Sequence, residues 1–193
     1  MARTTKSMSA ENLHASKWTA LTVVSFGTLM STLDGGMVAV SYPALTEAFE
    51  TDVSTVLWVT VAYWVTAVGL LLTLGWIGDE AGRRRVYMIG LVVFTLGILM
   101  AAASFNVWQL IGARILQGVG SSMVLSNLNA LIIASFPSKE RGMALGVSGA
   151  VVGVGLSGGP LLGGLLLDVL DWRALFYTRV PLGVLGVILA WRL

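Results

Sequence analysis

Gly75-Trp76-Ile77-Gly78-Asp79-Glu80-Ala81-Gly82-Arg83-Arg84-Arg85 carries a charged knot between two apolar runs. Upstream, Thr55 to Ile77 holds no charged residue, and downstream, Val86 to Phe105 holds none either. A helix crosses about 30 Å of hydrocarbon with about 20 apolar residues. Each run is that long, so Gly78 to Arg85 reads as a tight loop between two transmembrane helices. Its glycines permit a sharp reversal with closely spaced backbones.

The same reading extends along the chain. Trp18 to Val40 forms a first span, interrupted by Asp34. Ser41 to Ser54 is a polar loop with Pro43, Glu47, Glu50 and Asp52. After the spans at 55–77 and 86–105, Asn106-Val107 is a minimal turn, and Trp108 to Ser135 is a fourth span containing Arg114. Phe136 to Gly142 is charged, and Met143 to Leu167 is a glycine-rich fifth span. Asp168 to Arg173 is polar, and a sixth span begins near Val180, cut off at Leu193. The expected fold is all-α, a polytopic membrane bundle of six helices. Residues 1–17 form a polar N-terminal segment, and 18–193 form the bundle.

Composition agrees. The 193-residue chain is 56% hydrophobic and 11% charged, against roughly 45–50% and about 25% in soluble domains. Mean hydropathy is +0.84. With no cysteine and one histidine, His14, disulfide frameworks, thiolate sites and multi-histidine metal sites are excluded. No basic run suits a nucleic acid. The expected surroundings are the lipid bilayer.

Lys and Arg distribution sets an orientation. Arg3, Lys6, Lys17, Arg83, Arg84, Arg85, Lys139, Arg141 and Arg192 fall on one side, and Arg173 and Arg179 on the other. The richer side is expected to be cytoplasmic, with the N-terminus inside a cell membrane. Six tryptophans, Trp18, Trp58, Trp76, Trp108, Trp172 and Trp191, fall near span ends, where the interface favours indole.

Two charges lie inside spans. Asp34 is about 24 Å along its helix from Trp18, and Arg114 about 9 Å from Trp108, which starts from the opposite side. They reach similar depth. An arginine inside a span costs at least ~2.5 kcal/mol on insertion scales, so it should face the bundle interior. The two are expected to share an aqueous cavity and to set each other's charge. In the fifth span Gly155, Gly159 and Gly163 recur every four residues, a face that lets helices approach closely, while Pro160 bends the chain.

These segments resemble the major facilitator superfamily. Gly75, Asp79, Gly82, Arg83 and Arg84 match its G-x-L-x-D-R-x-G-R-R loop, with Ile77 for leucine and Glu80 for the usual arginine. Arg85 offers a compensating charge. Arg114, Gln117, Gly118 and Gly120 are similar to its fourth-helix R-x-x-Q-G-x-G signature. Leu33-Asp34-Gly35-Gly36-Met37-Val38 with Tyr42-Pro43 resembles the L-D-x-T-I-V…P segment of drug:proton antiporters. Gly155, Gly159, Pro160, Gly163 and Gly164 resemble the antiporter G-x-x-x-G-P-x-x-G-G signature. Trp172 to Gly183 resembles W-R-W-I-F-x-I-N-V-P-I-G of the fourteen-helix branch, with Arg179 for asparagine.

The resemblance implies the N-terminal half of a transporter, built as two inverted three-helix repeats. It implies proton-driven efflux of small amphipathic compounds, no enzyme activity, and the proton gradient in place of a cofactor. Asp34 and Arg114 would carry proton coupling, and the 75–84 loop a cytoplasmic gate. Tyr63, Trp64, Gln117, Asn127 and Asn129 are candidate substrate-cavity residues. The partner would be a missing C-terminal half or a second copy. Two other readings stand beside this one. The first is a truncated, non-transporting membrane protein or assembly partner. The second is an intramembrane serine protease using Gly146-Val147-Ser148-Gly149, which needs a base that only His14 could be.

Overall fold

The computed structural model describes residues 10–191, with side chains from Lys17 to Trp191. Arg3, Lys6, Arg192, the first part of the 1–17 segment and the His14 side chain lie outside the described residues. Nine helices are described: α1 Ala10–Ala39, α2 Tyr42–Ala48, α3 Val53–Gly69, α4 Leu71–Ala81, α5 Arg83–Ala102, α6 Val107–Ser135, α7 Arg141–Leu167, α8 Ala174–Tyr177 and α9 Val180–Ala190. Four stretches are long and apolar enough to cross a bilayer: Lys17–Ala39, Arg83–Ala102, Val107–Ser135 and Arg141–Leu167. Helices α3 and α4 make a fifth, bent by 46° at Leu70. The sixth, α9, is 11 residues long.

Helix ends follow local chemistry. The Asn106 side chain accepts from Gln109 N (2.9 Å), while Gln109 Oε1 accepts from Phe105 N (2.9 Å), a reciprocal cap on α6. At the other end of α6, Phe136 is extended because it precedes Pro137.

Three boundaries differ from expectation. The 41–54 loop contains α2, because Pro43 falls in the first turn, where a missing N–H costs nothing. The 78–85 loop shrinks to Gly82 alone. Helix α4 runs on to Ala81 and α5 starts at Arg83, so the reversal rests on one residue at φ +97°. The 168–179 region is not an interfacial loop throughout. Trp172, Leu175, Phe176 and Arg179 are buried as a plug over the end of the bundle. Trp172 packs against Phe49 at 5.1 Å between ring centroids, so it is a core residue and not part of the interfacial belt.

Two glycine seams hold the helices together. On α7, a Cβ at Gly159 would lie 2.7 Å from Leu33 O and 2.9 Å from Gly36 Cα, and one at Gly163 3.1 Å from Met37 Cα. Gly155 meets Thr32, and Gly36 in turn receives Pro160. The departure at Gly36 therefore makes room for the proline ring. A Cβ at Gly164 would meet nothing within 4 Å, so this glycine stands off the seam. Between α5 and α6 the second seam runs through Gly90, Gly97 and Gly120. A Cβ at Gly97 would lie 2.7 Å from Gln117 Cα. Close backbone approach of this kind replaces the hydrophobic drive that lipid does not supply.

Candidate functional site: a buried two-arginine, one-aspartate cluster

Asp34 is fully buried, as is Arg114. Arg114 Nη1 lies 2.6 Å from Asp34 Oδ2 and donates to Gln117 Oε1 at 2.5 Å. Gln117 Nε2 donates to Asp34 Oδ1 at 2.9 Å. Arg114 Nε donates to Val59 O at 3.1 Å. The three side chains thus close a ring that joins α1 to α6, with a third helix, α3, supplying the carbonyl. Arg114 and Gln117 share a face because residues three apart on a helix are neighbours. The glycine seams on either side set the separation: Gly97 packs on Gln117 itself, and Gly155 and Gly159 flank Leu33.

A third charge joins them. Arg179, at the head of α9, pairs with Asp34 Oδ1 through Nη1, and its Nε donates to Leu175 O at 2.6 Å. The sequence places Arg179 in the outer loop, but it is 3% exposed. The plug residues Leu175 and Phe176 carry it inward, and its guanidinium stacks 5.1 Å from the Phe176 centroid. The only hint in the sequence is the charged residue at the very start of an apolar run, where the resembled family has asparagine.

Aromatic residues complete the surroundings. The Tyr63 ring lies 4.3 Å from Arg114 Cζ, a cation–π contact. Its hydroxyl is 2.8 Å from Ser121 Oγ. Trp64 stands edge-on to Tyr63, centroids 5.2 Å apart. A Cβ on Gly35 would lie 3.2 Å from Trp64 Cζ2, so the indole covers the residue beside Asp34.

Asp34, Arg114, Tyr63, Trp64 and Gln117 are therefore brought together. Asn127 and Asn129 are not. They lie about 15 and 18 Å further along α6 than Gln117. The Asn127 amide donates to Met123 O at 3.0 Å and packs against Gly78, so it serves the α4–α6 contact. Asn129 is exposed, in a groove with Arg83 and Arg141. That groove belongs to the basic end, where Asp79 Oδ1 lies 2.5 Å from Arg83 Nη2 across the Gly82 turn. There Arg84 Nη2 donates to Trp191 O (3.2 Å), and Lys17 Nζ meets Glu140 Oε2 at 2.5 Å. Gly75 has only an ordinary contact with Ser126. Among the described residues no cluster of His, Asp or Glu could hold a metal ion.

A charged interior of this kind sits inside an apolar helical bundle with four helices long enough to cross a membrane. Residues 24–193 match the Major Facilitator Superfamily, and the chain belongs to it. It is 35% identical over 173 residues to the riboflavin transporter RibZ of Clostridioides difficile, covering 90% of this chain and 38% of that protein. It is 33% identical over 174 residues to the methylenomycin A resistance protein of Bacillus subtilis (90% and 37%). The tetracenomycin C resistance and export protein of Streptomyces glaucescens is 30% identical over 179 residues (93% and 33%). The chain thus spans about a third of the length of these relatives. Members of the family are transporters, not enzymes, which speaks against the protease reading of Ser148.

Proposed function

We propose that this chain forms the N-terminal bundle of a proton-coupled exporter of small amphipathic compounds. The observation that carries the reading is the Asp34 carboxyl held by Arg114 inside the bundle. A carboxylate clamped by guanidiniums takes up a proton only when they separate from it. Separation needs helices α1, α6 and α9 to shift relative to one another, so proton uptake is tied to movement. Rocking of one bundle against another around a midplane site is the means by which such folds alternate access. Names among the relatives support export, since two of those above are resistance proteins.

In this reading the basic end, with Asp79, Gly82, Arg83 and Arg84, faces the cytoplasm of a cell membrane and gates the cavity. Gly155, Gly159, Pro160 and Gly163 hold α7 on α1 while the bundle moves. Trp64, Tyr63 and Gln117 line the cargo path, and the partner is the remaining half of the transporter or a second copy. The test is efflux driven by an imposed pH gradient in vesicles carrying the whole gene product. Asp34→Asn is expected to abolish the response to the gradient while Asp34→Glu retains part of it. An Asp34→Asn protein still driven by the pH gradient would sink the assignment.

A further inference from the structure

The buried charges do not balance. Asp34 carries one negative charge, while Arg114 and Arg179 carry two positive charges. The other buried charge among the described residues, Lys17, pairs with Glu140 at the basic end. The cluster therefore keeps a net charge of +1. Helix α5, which packs on Gln117 through Gly97, has no charged residue after Arg85. Helix α3 supplies Tyr63, α6 supplies Arg114 and Gln117, the α8–α9 junction supplies Arg179, and α7 has no charged residue after Arg141.

Two further observations point to a ligand. Arg114 Nη2 and Arg179 Nη2 are both buried without a hydrogen-bond partner, although buried donors are almost always paired. Trp64, 37% exposed, covers Gly35 next to Asp34 and stands edge-on to the Tyr63 ring, which itself lies 4.3 Å from Arg114 Cζ. An apolar aromatic face thus borders an uncompensated positive charge in a medium of low dielectric. There the field of a unit charge is weakly screened and selects the sign of what approaches.

We propose that the cargo of this protein is an aromatic monoanion, a ring bearing a carboxylate or sulfonate. The ring stacks on Trp64 and the acid group supplies the negative charge that the Asp34–Arg114–Arg179 cluster lacks. Arg179 is the residue that sets this preference, because without it Asp34 and Arg114 cancel. The inference rests on the transport reading and narrows it to a substrate class.

The test uses three naphthalene probes of fixed charge: 2-naphthalenesulfonate, the neutral 2-naphthalenesulfonamide and a naphthyl-trimethylammonium. The whole gene product is reconstituted in liposomes, and pH-gradient-driven flux and competition binding are compared with protein-free liposomes. The sulfonate is expected to bind at least about tenfold tighter than the other two. Arg179→Asn should remove that preference and Arg179→Lys should keep it. The charge series on the unmodified protein decides the matter even if Arg179→Asn fails to fold. Equal or tighter binding of the ammonium overturns the inference and leaves the transport reading standing, as does an anion preference that survives in a folded Arg179→Asn protein. No gradient-driven flux of any probe, together with a failed Asp34 test, overturns the transport reading and this inference with it.

Discussion

Substituting each arm of the buried cluster gives a ranking that follows from charge arithmetic. Asp34→Asn leaves two guanidiniums buried with no counter-charge. Removing one partner of a buried pair costs about 3–5 kcal/mol, and here the loss removes the carboxylate shared by Arg114 and Arg179, although Arg114 Nη1 keeps its bond to Gln117 Oε1. Arg179→Met acts in the opposite sense on charge. It leaves Asp34 and Arg114 as a neutral pair, still joined through Gln117. Its cost is the unpaired Leu175 carbonyl, about 1–3 kcal/mol, offset by removal of an uncompensated buried cation. We predict a net loss below about 2 kcal/mol for Arg179→Met against at least ~3 for Asp34→Asn. At roughly 2–4 °C per kcal/mol for a chain of this size, Asp34→Asn should lower the unfolding midpoint by roughly 6–20 °C. The assay is thermal unfolding in detergent followed by tryptophan fluorescence, with both variants at one protein concentration. A drop for Arg179→Met equal to or larger than that for Asp34→Asn would refute the charge-imbalance argument.

The two glycine motifs separate into positions that cannot accept a side chain and positions that can. Gly159→Ala is expected to cost about 1–3 kcal/mol, because its Cβ meets backbone on α1, whereas Gly164→Ala, inside α7 with open space around it, should stabilise by up to about 1 kcal/mol. Denaturation midpoints of the pair check this, and equal midpoints would refute the seam. At the basic end, Gly82→Ala should cost about 1–3 kcal/mol through backbone strain alone, since φ is +97° and no atom crowds the site. Gly75→Ala should stabilise by up to about 1 kcal/mol, since it sits inside α4 with only an ordinary contact. The opposite signs are read in the same unfolding measurement.

Much of this was legible in the residue pattern, for identifiable reasons. Apolar run length fixes the spans because hydrocarbon thickness is a fixed ruler. The same ruler, read from Trp18 and Trp108 in opposite directions, puts Asp34 and Arg114 at one depth, and they meet. The four-residue period of Gly155, Gly159 and Gly163 marks a seam because all three lie on one helix. The α5–α6 seam is harder to see, since Gly90, Gly97 and Gly120 are divided between two helices and no single period links them. Asn127 and Asn129 stand apart from the cluster, which the sequence does not show, because polarity in a span marks burial or function alike and only the three-dimensional packing reveals the Gly78 contact. Arg179 was hidden by a rule that holds on average. A cation at a span's start belongs to the interface unless the preceding residues fold inward, and Leu175 and Phe176 do so.

The location of that exception connects packing to function. A net charge inside lipid-facing helices is tolerable only where the backbone cannot move away from it, and the cluster sits where constraint is greatest. Asp34 lies between Leu33, Gly35 and Gly36, all pressed by α7 or Trp64, and Gln117 is pressed by Gly97. The helices flanking the cluster are therefore held backbone to backbone, while the plug that carries Arg179 is joined through side chains and short turns. Of the two arginines, Arg179 is on the element with fewer backbone constraints. If Asp34 releases its partners, the α8–α9 junction is the part expected to shift, since it is held to α1 through Asp34 and to α5 through the Thr95 side chain. The residue that departs from the family pattern is thus also the one whose movement would open the cluster.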